Sequence, residues 1–259
     1  MENNNQNVLG ILTFVGVVAV LLLGVTGKFA GAGSLTKADI ESAVKAAMPA
    51  AVAPAAQPQP AAQPQPAAVP EVTKVDAGEL QAFYDTAVID GDADAKVTVI
   101  EFSDVECPFC QRHSNNGTID AVKTKYAGKV NHVFAHFPLS FHPNAQKAGE
   151  AIECAGKLGG DEGFLKFKKA IFAKGGQPTL AVIEEVAKAE GLDGTAMMAC
   201  VNGGEFAQKV TDQMAFGRKL GVTGTPGNVV MNNETGEFVK VSGAVPAEAF
   251  APAIDQFLN

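Results

Sequence analysis

The rhythm of apolar positions changes several times along this chain, and each change marks a different kind of segment. Residues 1–7 are polar. Val8 to Val25 is then apolar and uncharged, and at about 1.5 Å per residue such a run is just long enough to cross the hydrocarbon layer as a helix. Residues 8–27 read either as a retained transmembrane anchor, longer than the roughly 7–15-residue core of a signal peptide, or as a signal peptide with Ala30-Gly31-Ala32 as its cleavage site. Lys28 and Lys37 follow the run and no Lys or Arg precedes it. By the positive-inside rule alone, that would leave the C-terminal part in the cytoplasm.

Within residues 28–48, Leu35, Ile40, Val44, Ala47 and Met48 recur at helical spacing, and Thr36 with Asp39 can form a capping box. This predicts a short amphipathic helix, used for self-association or laid on the bilayer or the following domain. Residues 49–71 are rich in Pro, Ala and Gln, with AAQPQP written twice. Such sequence favours extended polyproline II, so about 20 residues would span roughly 60 Å as a semi-stiff tether. Docking of a proline-binding module is the sharper alternative.

From residue 72 to 259 the pattern is that of a globular domain. Val97 to Phe102 is an apolar run that predicts a buried strand, introduced by a turn at Gly91–Ala95. A helix with proline in its first turn follows, broken at Asn115-Asn116-Gly117 and resumed over Thr118–Tyr126. Val130–Phe137 predicts a second buried strand, ended by Pro138. Four segments with helical spacing come next: Asn144–Leu158, Gly163–Ala173, Leu180–Ala189 and Phe206–Leu220. Strand character returns at Gly227–Met231 and Glu237–Val241, joined by a hairpin connection at Asn232–Gly236. Pro246–Leu258 closes the chain as a helix with Phe250, Ile254 and Phe257 on one face.

The bulk numbers narrow the function. At 259 residues and 47% hydrophobic the chain can bury one sizeable core. A net charge of −8 offers no basic stripe for phosphates, so a nucleic-acid partner is not expected. The four cysteines, Cys107, Cys110, Cys154 and Cys200, are an even set that suits an oxidising compartment.

Cys107-Pro108-Phe109-Cys110 carries the chemistry. Cysteines at i and i+3 on a first helical turn share a face, close enough to open and close a small disulfide ring. A thiol at a helix N-terminus also feels the positive end of the dipole, which favours the thiolate. Zinc is the alternative use of the motif, perhaps with His113, but a structural site needs about four ligands and the remaining cysteines are single and widely spaced. A c-type haem would need His at position 111, where Gln stands. His132, His136 and His142 do not form a metal-binding spacing, since Pro138 interrupts the element. Glu101 is an acid inside an otherwise apolar strand, costly to bury without a partner or a task; an edge strand turning it to water is the other possibility.

EFSDVECPFC, HFPLSFHPNAQKAGEAIECA and GVTGTPG together resemble the DsbA-like branch of the thioredoxin superfamily, over about Ile89 to Leu258. The resemblance implies an α/β, thioredoxin-like fold with an inserted helical domain at about 143–220. It implies that Cys107 is the exposed nucleophile, that Cys110 resolves the mixed disulfide, and that Glu101 accepts the proton of Cys110. Pro226 matches a cis proline facing the disulfide, and Thr225 before it would pair with the client backbone, beside Pro108 and Phe109. Cys154 and Cys200 match a second, structural disulfide of some relatives; closing a loop of about 46 residues would contribute roughly 4 kcal/mol in the entropy model, and two free buried thiols are the alternative. His136 and His142 match positions that look structural.

Phe109 stands where the best-known oxidases of this family have histidine, and it cannot donate to a thiolate. Asp104 and Glu106, as loop acids, would raise the Cys107 pKa. A strongly oxidising poise is therefore not assumed. The expected function is a membrane-tethered, extracytoplasmic thiol-disulfide oxidoreductase that passes its own disulfide to reduced exported proteins and needs no further cofactor or metal. A membrane reoxidant resembling DsbB or vitamin K epoxide reductase would recharge it. A reductase or isomerase of the same fold, or a non-enzymatic thioredoxin-like module on a stalk, are the alternatives.

Overall fold

A computed structural model describes residues 71–259. The expected anchor (8–27), amphipathic helix (28–48) and all but the last residue of the tether (49–71) lie outside the described residues. Among the described residues no helix is long and apolar enough to cross a membrane. The elements in chain order are β1 (Thr73–Lys74), α1 (Ala77–Tyr84), β2 (Ile89–Asp90), β3 (Val97–Ser103), α2 (Pro108–Asn115), α3 (Thr118–Lys125) and β4 (Val130–His136). Then come α4 (Ala145–Lys174), α5 (Leu180–Ala189), α6 (Gly194–Gly203), α7 (Ala207–Lys219), β5 (Gly227–Asn232), β6 (Glu237–Ser242), a 3-10 turn (Ala247–Phe250) and α8 (Ala251–Leu258).

The strands form one sheet in the order β1-β6-β5-β3-β4-β2. β3 and β4 run parallel, from Val97 opposite Val130 to Ser103 opposite His136, and the other neighbours are antiparallel. All seven residues of β3 are buried, because helices cover both faces of this central strand. Ile100 and Phe102 point to one face, where Leu80 and Phe83 of α1 and Leu220 beyond α7 complete a core. Val97 and Val99 point to the other, against Ile119 and Val122 of α3 and against Phe250, Ile254 and Phe257 of the C-terminal helix.

A third apolar cluster fills the helical domain. Phe164, Phe167, Phe172, Ile183, Met197 and Val201 pack together there, and Val105, Cys107 and Cys110 belong to the same cluster. The active-site turn is thus part of the seam between the sheet and the inserted helices. Asn115 donates from Nδ2 to the Phe172 carbonyl at 3.3 Å, and Gln111 Nε2 donates to Val105 and Gly176 carbonyls at 2.9 Å each. These bonds hold α2 against the end of α4. The break expected after Leu158 is a kink at Gly160, whose φ of 66° and ψ of −165° no other residue type adopts easily.

Two parts of the expected organisation change. The helical insertion does not extend to residue 220: α7 turns back onto the sheet, where Phe216 stacks on Phe83 with ring centroids 4.6 Å apart. A Cβ at Gly217 would meet Phe102 at 2.6 Å, so α7 approaches the strand closely. α6 and the elements β1, α1 and β2 had no counterpart in the sequence reading. The α6 segment, GTAMMACVNG, has glycine at both ends and almost no polar residues, so its buried face of Met197, Cys200 and Val201 does not stand out in the pattern.

Cys154 in α4 and Cys200 in α6 are joined by a disulfide across 46 residues. It clamps two helices that also meet through the apolar cluster of Phe164, Phe167, Met197 and Val201. Replacing both by alanine should lower stability by about 2–4 kcal/mol, the usual range for a loop of this size. Urea unfolding of the double variant checks this, with exchange chemistry at Cys107 retained.

Candidate active site

Cys107 is the N-cap of α2, with extended backbone geometry, and Pro108 occupies the first helical position. Proline fits there because that N–H has no intrahelical partner and its φ is already helical. One turn on, Cys110 and His113 are the buried residues of α2. Both Cys107 and Cys110 are free thiols, and Cys107, expected to be exposed, is only 4% exposed because it packs in the seam with the helical domain. Across from them, the Thr225-Pro226 peptide is cis, and the Cys107 thiol donates to the Thr225 carbonyl at 3.6 Å. A Cβ at Gly227 would lie 2.5 Å from Val222 Cγ1 and 2.9 Å from the Gly224 carbonyl, so only glycine lets this loop fold so tightly behind Pro226.

The two sulfurs are placed in opposite environments. The Cys107 thiol is pulled down to about 5. Hydrogen bonding from the Cys110 thiol is the largest cause, opposed by burial; Thr225 and the backbone N–H groups of Cys110 and Phe109 add to the lowering. The Thr225 hydroxyl has no other partner. Cys110 is pushed far above the ordinary thiol value by burial and by its neighbour's sulfur. The result is one thiolate and one thiol, held apart by position alone.

The expected counterweights to a low Cys107 pKa do not operate. Asp104 Oδ2 accepts from His142 Nδ1 and from the Leu139 N–H, both at 2.8 Å, and its Oδ1 accepts from the Glu106 N–H. Glu106 accepts from the Asn144 N–H at 2.8 Å and from its side-chain amide at 3.2 Å. Both carboxylates are spent on latching the β3–α2 turn to the segment that follows β4. The Phe109 side chain donates nothing, but backbone N–H groups, its own included, and Thr225 take that role. Its ring is 55% exposed, with the Arg112 guanidinium 5.1 Å from its centroid, and Phe141 is 71% exposed. These are large apolar surfaces to leave in water, and Phe141 lines a groove of about 310 Å³ between Phe137–Phe141 and Val222–Thr223.

Glu101 is buried on central β3, so it does not turn to water. Its Oε2 lies 3.4 Å from His132 Nε2 on β4. Burial pushes this carboxyl up, but the hydrogen bond and charge of His132, with His113 and Lys168 beyond, outweigh it and hold it at about 2. A carboxylate held so low is a weak proton acceptor at neutral pH. The group that faces the Cys110 sulfur is instead the Ser103 hydroxyl, one pleat along the same face of β3. His136 pairs with Glu153 at 3.0 Å, and Lys209 reaches the other oxygen of Glu153. Among the described residues no three His, Cys, Asp or Glu side chains are grouped as metal ligands.

The model of the Thioredoxin family matches residues 84–256. Among solved structures, DsbA2 of Pseudomonas aeruginosa is similar at 29% identity and a TM-score of 0.55, over 65% of this chain and 92% of that one. A thioredoxin-like oxidoreductase from Silicibacter pomeroyi DSS-3 aligns at 25% identity and 0.59, over 70% and 97%. BdbD of Bacillus subtilis in its oxidised form shares the fold at 20% identity and 0.60, over 73% and 98%. A curated relative, the Na(+)/H(+) antiporter NhaA 1 of Mycobacterium sp. (strain KMS), is 38% identical over 86 residues, 33% of this chain. The match covers 13% of that antiporter, so the chain spans a small part of the curated relatives it matches.

The electrostatic asymmetry has a direct consequence. In the reduced protein, ultraviolet thiolate absorbance should titrate with a midpoint near 5. The ordinary thiol value is about 8.5, so the lowered folded-state pKa adds stability that is complete above that value. That increment is lost as pH falls through about 5. Urea unfolding of reduced protein between these limits checks the sign, and the oxidised protein should lack the effect.

Proposed function

The chain belongs to the thioredoxin family, and from that premise we propose that it is a thiol-disulfide oxidoreductase acting on protein clients through Cys107 and Cys110. The observation that carries this reading is the placement of Cys107 at the N-cap of α2 with its sulfur facing the cis Thr225-Pro226 peptide. A client thiolate attacks Cys107 in the disulfide form, the Cys107–Cys110 bond breaks, and Cys110 leaves with the electron pair and takes up a proton. A second client thiolate then attacks the client sulfur of the mixed disulfide, and Cys107 leaves as its stabilised thiolate. Two electrons pass from client to dithiol with no other cofactor.

Net oxidation is the favoured direction. The donors around Cys107 stabilise a thiolate that exists only in the reduced form, and a pair whose reduced form is stabilised is oxidising. The client strand would lie along Thr225, with Pro108 and Phe109 on its other side, and the exposed rings of Phe109 and Phe141 suit apolar client side chains. In this reading residues 8–27 tether the domain on the extracytoplasmic side of a membrane, where reduced exported proteins emerge, and a quinone-linked membrane protein of the DsbB or vitamin K epoxide reductase kind returns the electrons. The apolar run at Val8–Val25 and the persistence of disulfides in such compartments support that placement.

The test is substitution of each cysteine. Cys107→Ser should abolish reoxidation of a reduced test protein, and Cys110→Ala should accumulate mixed disulfides through Cys107 on non-reducing gels. Full reoxidation activity in Cys107→Ser would leave only the non-enzymatic module.

A further inference from the structure

The proposed chemistry moves a proton on and off Cys110 in every cycle, and Cys110 is fully buried. Beneath α2 lies a cavity of about 230 Å³, lined by Glu101, His113, His132 and Lys168 and opening to solvent at Asp120 and Lys169. It is polar and large enough for several waters. Eight buried side-chain atoms among the described residues lack a hydrogen-bond partner, and five of them line this cavity: Glu101 Oε1 and both ring nitrogens of His113 and His132. Native proteins seldom leave such atoms unpaired, so their concentration one helical turn from a buried thiol marks a place where protons can be handled.

The groups differ in what they can accept. His132 stands between two carboxylates at ion-pair distance, 3.4 Å from Glu101 and 3.8 Å from Asp90. Lys168 sits over the Phe134 ring. Lys123 is paired with Asp90 at 2.6 Å, and Asp120 and Lys169 stand at the exposed rim. Of the titratable groups that line the cavity, His113 is the one carried on the same helix as Cys110. It is 1% exposed and one helical turn from Cys110 on the same face of α2. Neither of its nitrogens is paired, and Glu101 faces it across the cavity with a charge that favours an imidazolium. Burial nevertheless keeps the His113 pKa below its ordinary value, so the ring is neutral and has a lone pair to offer at pH 7.

Resting on the exchange activity proposed above, we infer that His113 is the proton relay of Cys110, acting through water in this cavity. When Cys110 attacks a mixed disulfide at Cys107, the Cys107–Cys110 bond forms and the bond from Cys107 to the outside sulfur breaks. That sulfur leaves with the electron pair. The proton of Cys110 passes to a ring nitrogen of His113 and then through the cavity to solvent. Opening of the pair runs the same path backwards, and no outside oxidant or reductant enters.

Stopped-flow mixing of the reduced full chain with dithionitrobenzoate separates the two steps: a first thionitrobenzoate is released when Cys107 attacks and a second when Cys110 does. In His113→Phe and His113→Gln the first phase should keep the wild-type rate, while the second should slow by about 100-fold at pH 7, the ordinary scale of acid–base assistance. The second-phase rate in wild type should rise with pH through a group below about 6.5, and both variants should lose that limb. Superimposable second-phase pH profiles in wild type and His113→Gln overturn the relay and leave the exchange reading intact. Release of a single thionitrobenzoate by wild type instead overturns the exchange reading itself.

Discussion

Two thiols three residues apart must be held in opposite protonation states, and the surrounding structure is arranged to do this. A buried thiolate is costly unless its charge is met by donors. Cys107 meets them where a helix begins, because the first-turn N–H groups of α2 have no intrahelical acceptor and point at its sulfur. Cys110, one turn further, has used its own N–H in that way and is left among apolar neighbours, so it stays protonated. Proline at the first helical position fits this arrangement because the missing N–H is one that points elsewhere.

The rest of the fold keeps that turn still. The parallel pair β3 and β4 brings Ser103 beside His136 in register, and the chain leaving each strand is tied to the other by Asp104 and Glu106. The inserted helices supply a wall of phenylalanines behind the cysteines, and the Cys154–Cys200 bond holds that wall together. On the open side the Thr225-Pro226 loop is pressed against Cys107 by the close approach at Gly227. Phe109 and Phe141 project into solvent, whereas the Cys107 side chain is itself nearly covered.

Much of this was legible in the residues. The apolar run at Val97, proline after Cys107, the break at Asn116-Gly117 and the hairpin at Asn232–Gly236 each carry local chemistry that specifies their conformation. The short strands at Thr73 and Ile89 do not, because two residues have no periodicity, and α6 is hidden by its near-absence of polar residues and its terminal glycines. At the site, the cysteines and Thr225-Pro226 stand out by type and spacing, whereas the state of Cys107 is set by backbone donors that leave no mark in composition. The setting of Glu101 depends on the β3–β4 register, which places it diagonally across from His132. His113 had a legible signal in its three-residue spacing from Cys110, but the same spacing also suits a zinc ligand, and only the fold shows it facing a cavity.

The central claim is that above about pH 5 the reduced pair holds one proton rather than two. The pH dependence of its reduction potential, measured by equilibration with glutathione buffers, reports that proton count directly. For a two-electron couple a tenfold change in equilibrium is about 30 mV, so the account predicts a slope of about 30 mV per pH unit above the break and about twice that below it. A slope near 60 mV per pH unit persisting to about pH 8.5, the ordinary thiol value, would show that both sulfurs stay protonated and would contradict it.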